Sequence, residues 1–155
     1  MIGPNGRIEV LHGVNLYMLG KRDPEHYGTL TLIELEVRIR HWARELGLEA
    51  TFFQTNAEHE YVERLHQAPE LADGLLLNPG AWTHYSYAIR DALEIGGMPA
   101  VEVHLSDVES REEWRRVSVI SDLVAGRIHG KGADGYREAL ELLARELGVE
   151  TPPAA

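Results

Sequence analysis

The chain has 155 residues, 44% hydrophobic and 26% charged, with a formal net charge of -10 and no cysteine. That size and mix suit one soluble globular domain with a buried core. They exclude a disulfide framework, a thiolate zinc site and a general nucleic-acid binder, since phosphate contacts need clustered Lys and Arg.

Residues 8–11, apolar and short, predict a first strand. Residues 31–46 predict a helix: Thr31 and Glu34 form a capping box, Leu32, Leu35, Ile39, Trp42 and Leu46 recur at helical spacing, and Gly47 suits the position after the last turn. A second strand is expected at 48–53 and a short helix at 58–67. Residues 74–77, Gly-Leu-Leu-Leu, are apolar on both faces, as a buried parallel strand requires. A helix is expected at 84–95, a fourth strand within 98–104, and a capping box at Ser110-Arg-Glu-Glu113 opening a short helical turn. Residues 126–129 read as a brief fifth strand and 136–147 as a last helix stopped at Gly148.

Alternating strands and helices with short links imply a parallel sheet covered on both faces. The expected architecture is an α/β, flavodoxin-like three-layer sandwich with a five-stranded sheet in the order 2-1-3-4-5. It is expected as a single domain over 1–155, with a folded core at 7–148 and a frayed tail at 149–155, where two prolines follow the helix stop. No apolar run is long enough to span a bilayer, and the opening Met1-Ile-Gly-Pro-Asn-Gly-Arg7 lacks the apolar stretch of a signal peptide. The expected location is the cytoplasm, which the lack of cysteine suits.

Gly130-Lys-Gly132-Ala-Asp-Gly135 matches a dinucleotide fingerprint. That reading needs a further strand and an acidic residue some way on, to hold a ribose. Only one helix and a short tail remain, so a tight turn is the expectation.

In this architecture ligands sit beyond the carboxyl ends of the strands, which directs attention to the loops beginning near His12, Asn78 and Ser106. The first is long and polar, and its glycines Gly13 and Gly20 could give a lid freedom to close. It holds Tyr27 five residues after Arg22. A free phenol ionises only near pH 10, and a nearby guanidinium favours the phenolate, so Arg22 could make Tyr27 a base. Glu102 and His104 lie two apart in a strand and share a face. A carboxylate on one imidazole nitrogen fixes the tautomer and makes a tuned acid; a structural pair is the plainer alternative. Asn78 and His84 put an amide and an imidazole near a helix start, where anions and hydroxyl oxygens are favoured; capping by Asn78 or Thr83 is the plainer alternative. Arg111 and Arg115, four apart, are an anion site or a solvated face paired with Glu112. The eight histidines supply no compact ligand spacing, so no metal is expected.

Four segments in order resemble one family, the type II 3-dehydroquinate dehydratases. Its opening motif, close to NGPNL-x-x-LG-x-REP-x-x-YG, is matched by His12-Gly-Val-Asn-Leu-Tyr-Met-Leu-Gly-Lys-Arg-Asp-Pro-Glu-His-Tyr-Gly28. Its N-P/A-G-x-x-TH-x-S stretch is Asn78-Pro-Gly-Ala-Trp-Thr-His-Tyr-Ser86. Its E-V-H-x-S-N segment is Glu102-Val-His-Leu-Ser-Asp107, and its R-E-E-F-R is Arg111-Glu-Glu-Trp-Arg115.

The resemblance implies dehydration of 3-dehydroquinate to 3-dehydroshikimate by anti elimination through an enolate, with no cofactor, metal or Schiff base. By matching position it implies Tyr27 as base, Arg22 as its activator, Asn15 on the enolate side, and His104 as acid oriented by Glu102. Asn78, His84, Leu105, Ser106 and Arg115 would hold the substrate. It also implies a dodecamer built from trimers, in which Asp91 reaches a neighbouring site. The chain departs from the pattern at His12 and Val14, at Asp107, and at Val117-Ser-Val-Ile-Ser-Asp122, where the family has H-S-Y-x-S-P. A paralogue acting on a related cyclic hydroxy-ketone acid, or a non-catalytic ligand-binding module, is the alternative.

Overall fold

The computed structural model describes residues 4–153. Met1, Ile2 and Gly3, which began the signal-peptide reading, and Ala154 and Ala155, which ended the tail reading, lie outside them. Five parallel strands, β1 (Arg7–His12), β2 (Glu49–Gln54), β3 (Gly74–Asn78), β4 (Ala100–Val103) and β5 (Arg127–Ile128), pair in the order β2-β1-β3-β4-β5. The expected α/β sheet order is the one observed.

The helices are α1 (Pro24–Tyr27), α2 (Leu32–Glu45), α3 (Glu58–Leu71), α4 (Tyr87–Gly96) and α5 (Asp134–Leu147). Side-chain alternation divides the core between the two faces of the sheet. Ile8, Val10, Leu76, Val101 and Val103 pack with α2 and α5, while Leu11, Leu75, Leu77 and Ala100 pack with α3 and α4. Burying apolar area on both faces is the main stabilising term, at roughly 25 cal/mol per Å². Glu9 is the one carboxylate inside β1, and Arg64 of α3 meets it through Nε at 2.6 Å and Nη2 at 3.1 Å. A buried charge without such a partner would be costly.

Local chemistry explains most element ends. Thr31 caps α2, and its side chain and that of Glu34 complete both halves of the capping box. Gly148 stops α5 at φ +68°. Helix α3 continues past the expected end to Leu71 with Pro69 inside it, held by buried Leu65 and Ala68.

Three expectations are corrected. Helix α4 starts at Tyr87, not at 84, because Ser86 caps it by accepting from the Ile89 N–H, and residues 80–84 form a separate 3-10 turn. The Ser110 box does not form. Ser110 Oγ donates to the Asp107 carbonyl instead, and the next 3-10 turn, Glu113–Arg116, opens at Glu112 without a side-chain cap. The long first loop contains a 3-10 turn (Leu16–Met18) and α1, and buried Leu16 and Leu19 tie it to the core.

Gly130 and Gly132 have positive φ. A Cβ on Gly130 would lie 3.0 Å from that of Asp107, so this stretch is a tight turn packed on the neighbouring loop. Among the described residues no helix is long and apolar enough to cross a membrane.

Candidate active site

The carboxyl ends of β1, β3 and β4 converge on one pocket. Val14, Asn15, Leu16, Arg22, Tyr27, Asn78, Gly80, Ala81, His84, His104, Leu105, Ser106, Val108, Arg111 and Arg115 line it. It therefore gathers every site residue expected from the sequence except two. Glu102 lies behind His104, wholly buried. Asp91 lies on the exposed side of α4, away from this pocket.

The two loops that carry Asn15 and Asn78 touch backbone to backbone. A Cβ at Gly13 would stand 2.2 Å from the Pro79 carbonyl oxygen, so only glycine fits. Gly13 thus serves close approach rather than hinge freedom. Asn15 itself adopts the left-handed conformation, φ +69°, and its backbone N–H donates to Asn56 Oδ1 at 2.9 Å. Asparagine tolerates that region better than most residues.

Tyr27 ends α1, which Asp23 caps and Pro24 opens. Its phenol oxygen accepts from Arg22 Nη2 at 2.7 Å and from Arg111 Nη1 at 2.6 Å. The Arg22 guanidinium also lies 3.6 Å from the centre of the Tyr27 ring. Arg111 continues to Ser106 Oγ at 3.2 Å. Burial lowers the Arg22 pKa; Tyr27 opposes this, and Arg111 and Arg115 add to it. Three guanidiniums therefore crowd one pocket of a chain with net charge -10, an arrangement that attracts an anion.

On the other wall, Glu102 Oε2 accepts from Thr83 Oγ1 at 2.5 Å and stands 2.5 Å from His104 Nε2, while Oε1 accepts from Ser118 Oγ at 2.7 Å. Burial disfavours the Glu102 carboxylate, but the hydrogen bond and charge of His104, with the bonds of Thr83 and Ser118, outweigh it and bring the pKa down to about 2. An ionised Glu102 requires the proton on His104 Nε2. That leaves Nδ1 without a hydrogen-bond partner among the described residues, on a ring that lines the pocket.

His84 is 6.4 Å from His104, ring over ring, and its Nδ1 donates to the Val117 carbonyl at 2.6 Å. Burial lowers its pKa, only partly offset by that carbonyl, so the neutral ring is favoured. Trp114 meets His84 edge-on at 5.2 Å and carries the Arg115 guanidinium 4.1 Å from its ring.

Arg115 pairs with Glu112 at 2.9 Å and also lines the pocket. Asn78 likewise accepts from the Gly80 N–H at 3.2 Å while facing the pocket. Sequence reasoning missed Arg111 as a partner of Tyr27, and Thr83 and Ser118 as supports of Glu102. The only signal for Arg111 was its spacing from Arg115; a hydroxyl meeting a carboxylate across elements leaves none. Among the described residues no three His, Cys, Asp or Glu side chains form a group that could hold a metal ion.

Residues 6–144 match the family model described as Dehydroquinase class II. A 3-dehydroquinate dehydratase of Syntrophotalea carbinolica is 52% identical over 145 residues, covering 93% of this chain and 98% of that protein. One from Pelobacter propionicus is 54% identical over 142 residues, covering 91% and 95%. Among solved structures, the type II dehydroquinase from Propionibacterium acnes superposes with a TM-score of 0.85 at 44% identity, covering 90% of this chain and 97% of that one. That from Butyrivibrio crossotus gives 0.87 at 38% identity, covering 91% and 99%.

Proposed function

The chain belongs to the class II dehydroquinase family, and on that premise we propose that it dehydrates 3-dehydroquinate to 3-dehydroshikimate, with Tyr27 as base and His104 as acid. The observation that carries the reading is the pairing of opposites in one pocket. A phenol oxygen held by two guanidiniums shares it with an imidazole backed by an ionised carboxylate.

The steps balance. The Tyr27 oxygen, its negative charge stabilised by Arg22 and Arg111, takes the proton from the carbon beside the ketone. The electrons of that C–H bond form the enolate, and Asn15, which lines the pocket, would steady its oxygen, directly or through water. The enolate then re-forms the ketone and expels the hydroxyl from the adjacent carbon. His104 enters this step protonated on both ring nitrogens; Glu102 accepts from Nε2–H, Nδ1 gives its proton to the hydroxyl, the leaving group departs as water and the ring is left neutral with its proton on Nε2. One proton gained by Tyr27 and one lost by His104 restore each other through solvent. Arg115, His84, Asn78, Ser106 and the Leu105 backbone orient the carboxylate and hydroxyls.

We propose also that the chain works as a dodecamer, a tetramer of trimers. Asp91, exposed on α4 and outside its own pocket, then serves a neighbour's site. Light scattering of the purified protein reads the assembly.

The decisive experiment is turnover. With 3-dehydroquinate the purified protein should produce a conjugated enone absorbing in the near ultraviolet, at the same rate with and without a chelator. Absence of product, or loss of rate with the chelator, would overturn the reading.

A further inference from the structure

Below the pocket floor lies a buried polar trio that the elimination does not use. His12 ends β1 and Asn78 ends β3, and they are direct partners in the parallel register, so both side chains project to one face. Tyr136, in the first turn of α5, reaches between them. Its hydroxyl is 2.9 Å from His12 Nε2 and 2.8 Å from Asn78 Nδ2. His12 and Tyr136 are 0% exposed and Asn78 is 4% exposed.

The donors and acceptors in this trio can be ordered. Asn78 Oδ1 accepts from the Gly80 N–H, so the amide end facing Tyr136 is the NH2, which can only donate. The phenol oxygen therefore accepts from Asn78, and its single proton is left for His12 Nε2. Burial supports neutral partners: it raises the Tyr136 pKa and pushes that of His12 down to about 3. His12 then carries its proton on Nδ1, which has no partner among the described residues. Donation runs in one direction, from Asn78 to Tyr136 to His12. The second N–H of Asn78 is left for the pocket that Asn78 lines.

We infer that His12, acting through Tyr136, is a positioning residue that fixes Asn78 as a hydrogen-bond donor to the ligand. This corner of the pocket then takes an acceptor, a hydroxyl or carboxylate oxygen, and rejects a group that only donates. The inference rests on the dehydratase reading of the pocket. It concerns a position where this chain has His in place of the Asn of the motif it resembles.

Two measurements test it. In protein labelled with 15N-histidine, magic-angle-spinning NMR should show the His12 ring, assigned as the signal missing from His12→Gln, protonated at Nδ1 and bare at Nε2. That ring should stay neutral from pH 8 to pH 5, and its Nε2 signal should shift in Tyr136→Phe. In kinetics, His12→Leu and Tyr136→Phe should raise KM for 3-dehydroquinate about tenfold, the loss of one oriented hydrogen bond, with kcat within about threefold. His12→Gln, whose side-chain oxygen reaches as far as Nε2, should bring KM back to within about threefold of native. A His12 proton found on Nε2 overturns the inference. So does a folded His12→Leu or Tyr136→Phe protein with native KM. Should His12→Leu fail to fold, Tyr136→Phe and the NMR tautomer still decide. An inactive native chain would sink the dehydratase reading instead, and the tautomer would still judge the hydrogen-bond order.

Discussion

Arg111 and Tyr27 stand 84 positions apart in the chain and 2.6 Å apart in the fold. The phenol oxygen is thus the meeting point of two loops, one after β1 and one after β4. Its second guanidinium comes from a segment with no sequence relation to the first.

Arg111→Leu should therefore lower kcat about 10- to 100-fold, as a hydrogen bond to a charged group contributes about 1.5–3 kcal/mol. Arg22→Leu should do the same, and the double variant should lose less than the product of the two, since both act on one oxygen. Steady-state kinetics of the three variants checks this. Strictly multiplicative losses would separate their roles.

Tyr27→Phe should cut turnover at least about 10²- to 10⁴-fold, the range of a positioned base. Its far-ultraviolet circular dichroism should stay native, and substrate should still raise its melting temperature. Retained activity would remove Tyr27 from the chemistry.

Glu102→Gln should lower kcat by about 10² or more, because an amide no longer holds the His104 proton on Nε2. Thr83→Val should cost about 1–3 kcal/mol of stability, leaving a buried carboxylate oxygen with one donor fewer. Chemical denaturation measures the second and initial rates the first.

Stability should fall on acidification in two windows. His12 is held far below its ordinary value, so the unfolded chain binds a proton that the folded chain refuses. Stability is lost as pH falls from about 6.5 towards about 3, at about 1.4 kcal/mol per pH unit over most of that span. Glu102 is depressed too, so its contribution is complete above the ordinary carboxylate range and is lost between about 4.3 and about 2. Urea midpoints across pH should show the first slope flattened in His12→Gln and the second in Glu102→Gln.

Gly13→Ala should fail to fold or lose several kcal/mol, because its methyl would stand 2.2 Å from the Pro79 oxygen. Soluble yield and melting temperature report it.

Elements set by neighbouring residues were legible in the sequence. The Thr31–Glu34 box needs only its own turn, and the all-apolar 74–77 run could belong only to a covered strand. The Ser110 box had the same spelling and failed, because the Ser110 backbone N–H that Glu113 would have to receive already donates to the Asp107 carbonyl. The same divide runs through the site. Glu102 and His104 were readable as a pair, since strand alternation places residues two apart on one face. Thr83, Ser118 and Arg111 were not, since what joins them to Glu102 and Tyr27 is the packing of separate loops. His12 stood out only as a departure from a motif; its tie to Tyr136, 124 residues away, had no local trace.

The three guanidiniums of the pocket sit in a body whose net charge is -10. An anionic ligand approaching from solution first meets a repelling field, and attraction takes over only within about a Debye length, about 8 Å at physiological salt. Capture is thus uphill at long range and downhill at the mouth. Added salt should screen the first more than the second, so the association rate should rise with ionic strength while the bound complex weakens less, the reverse of a steered encounter.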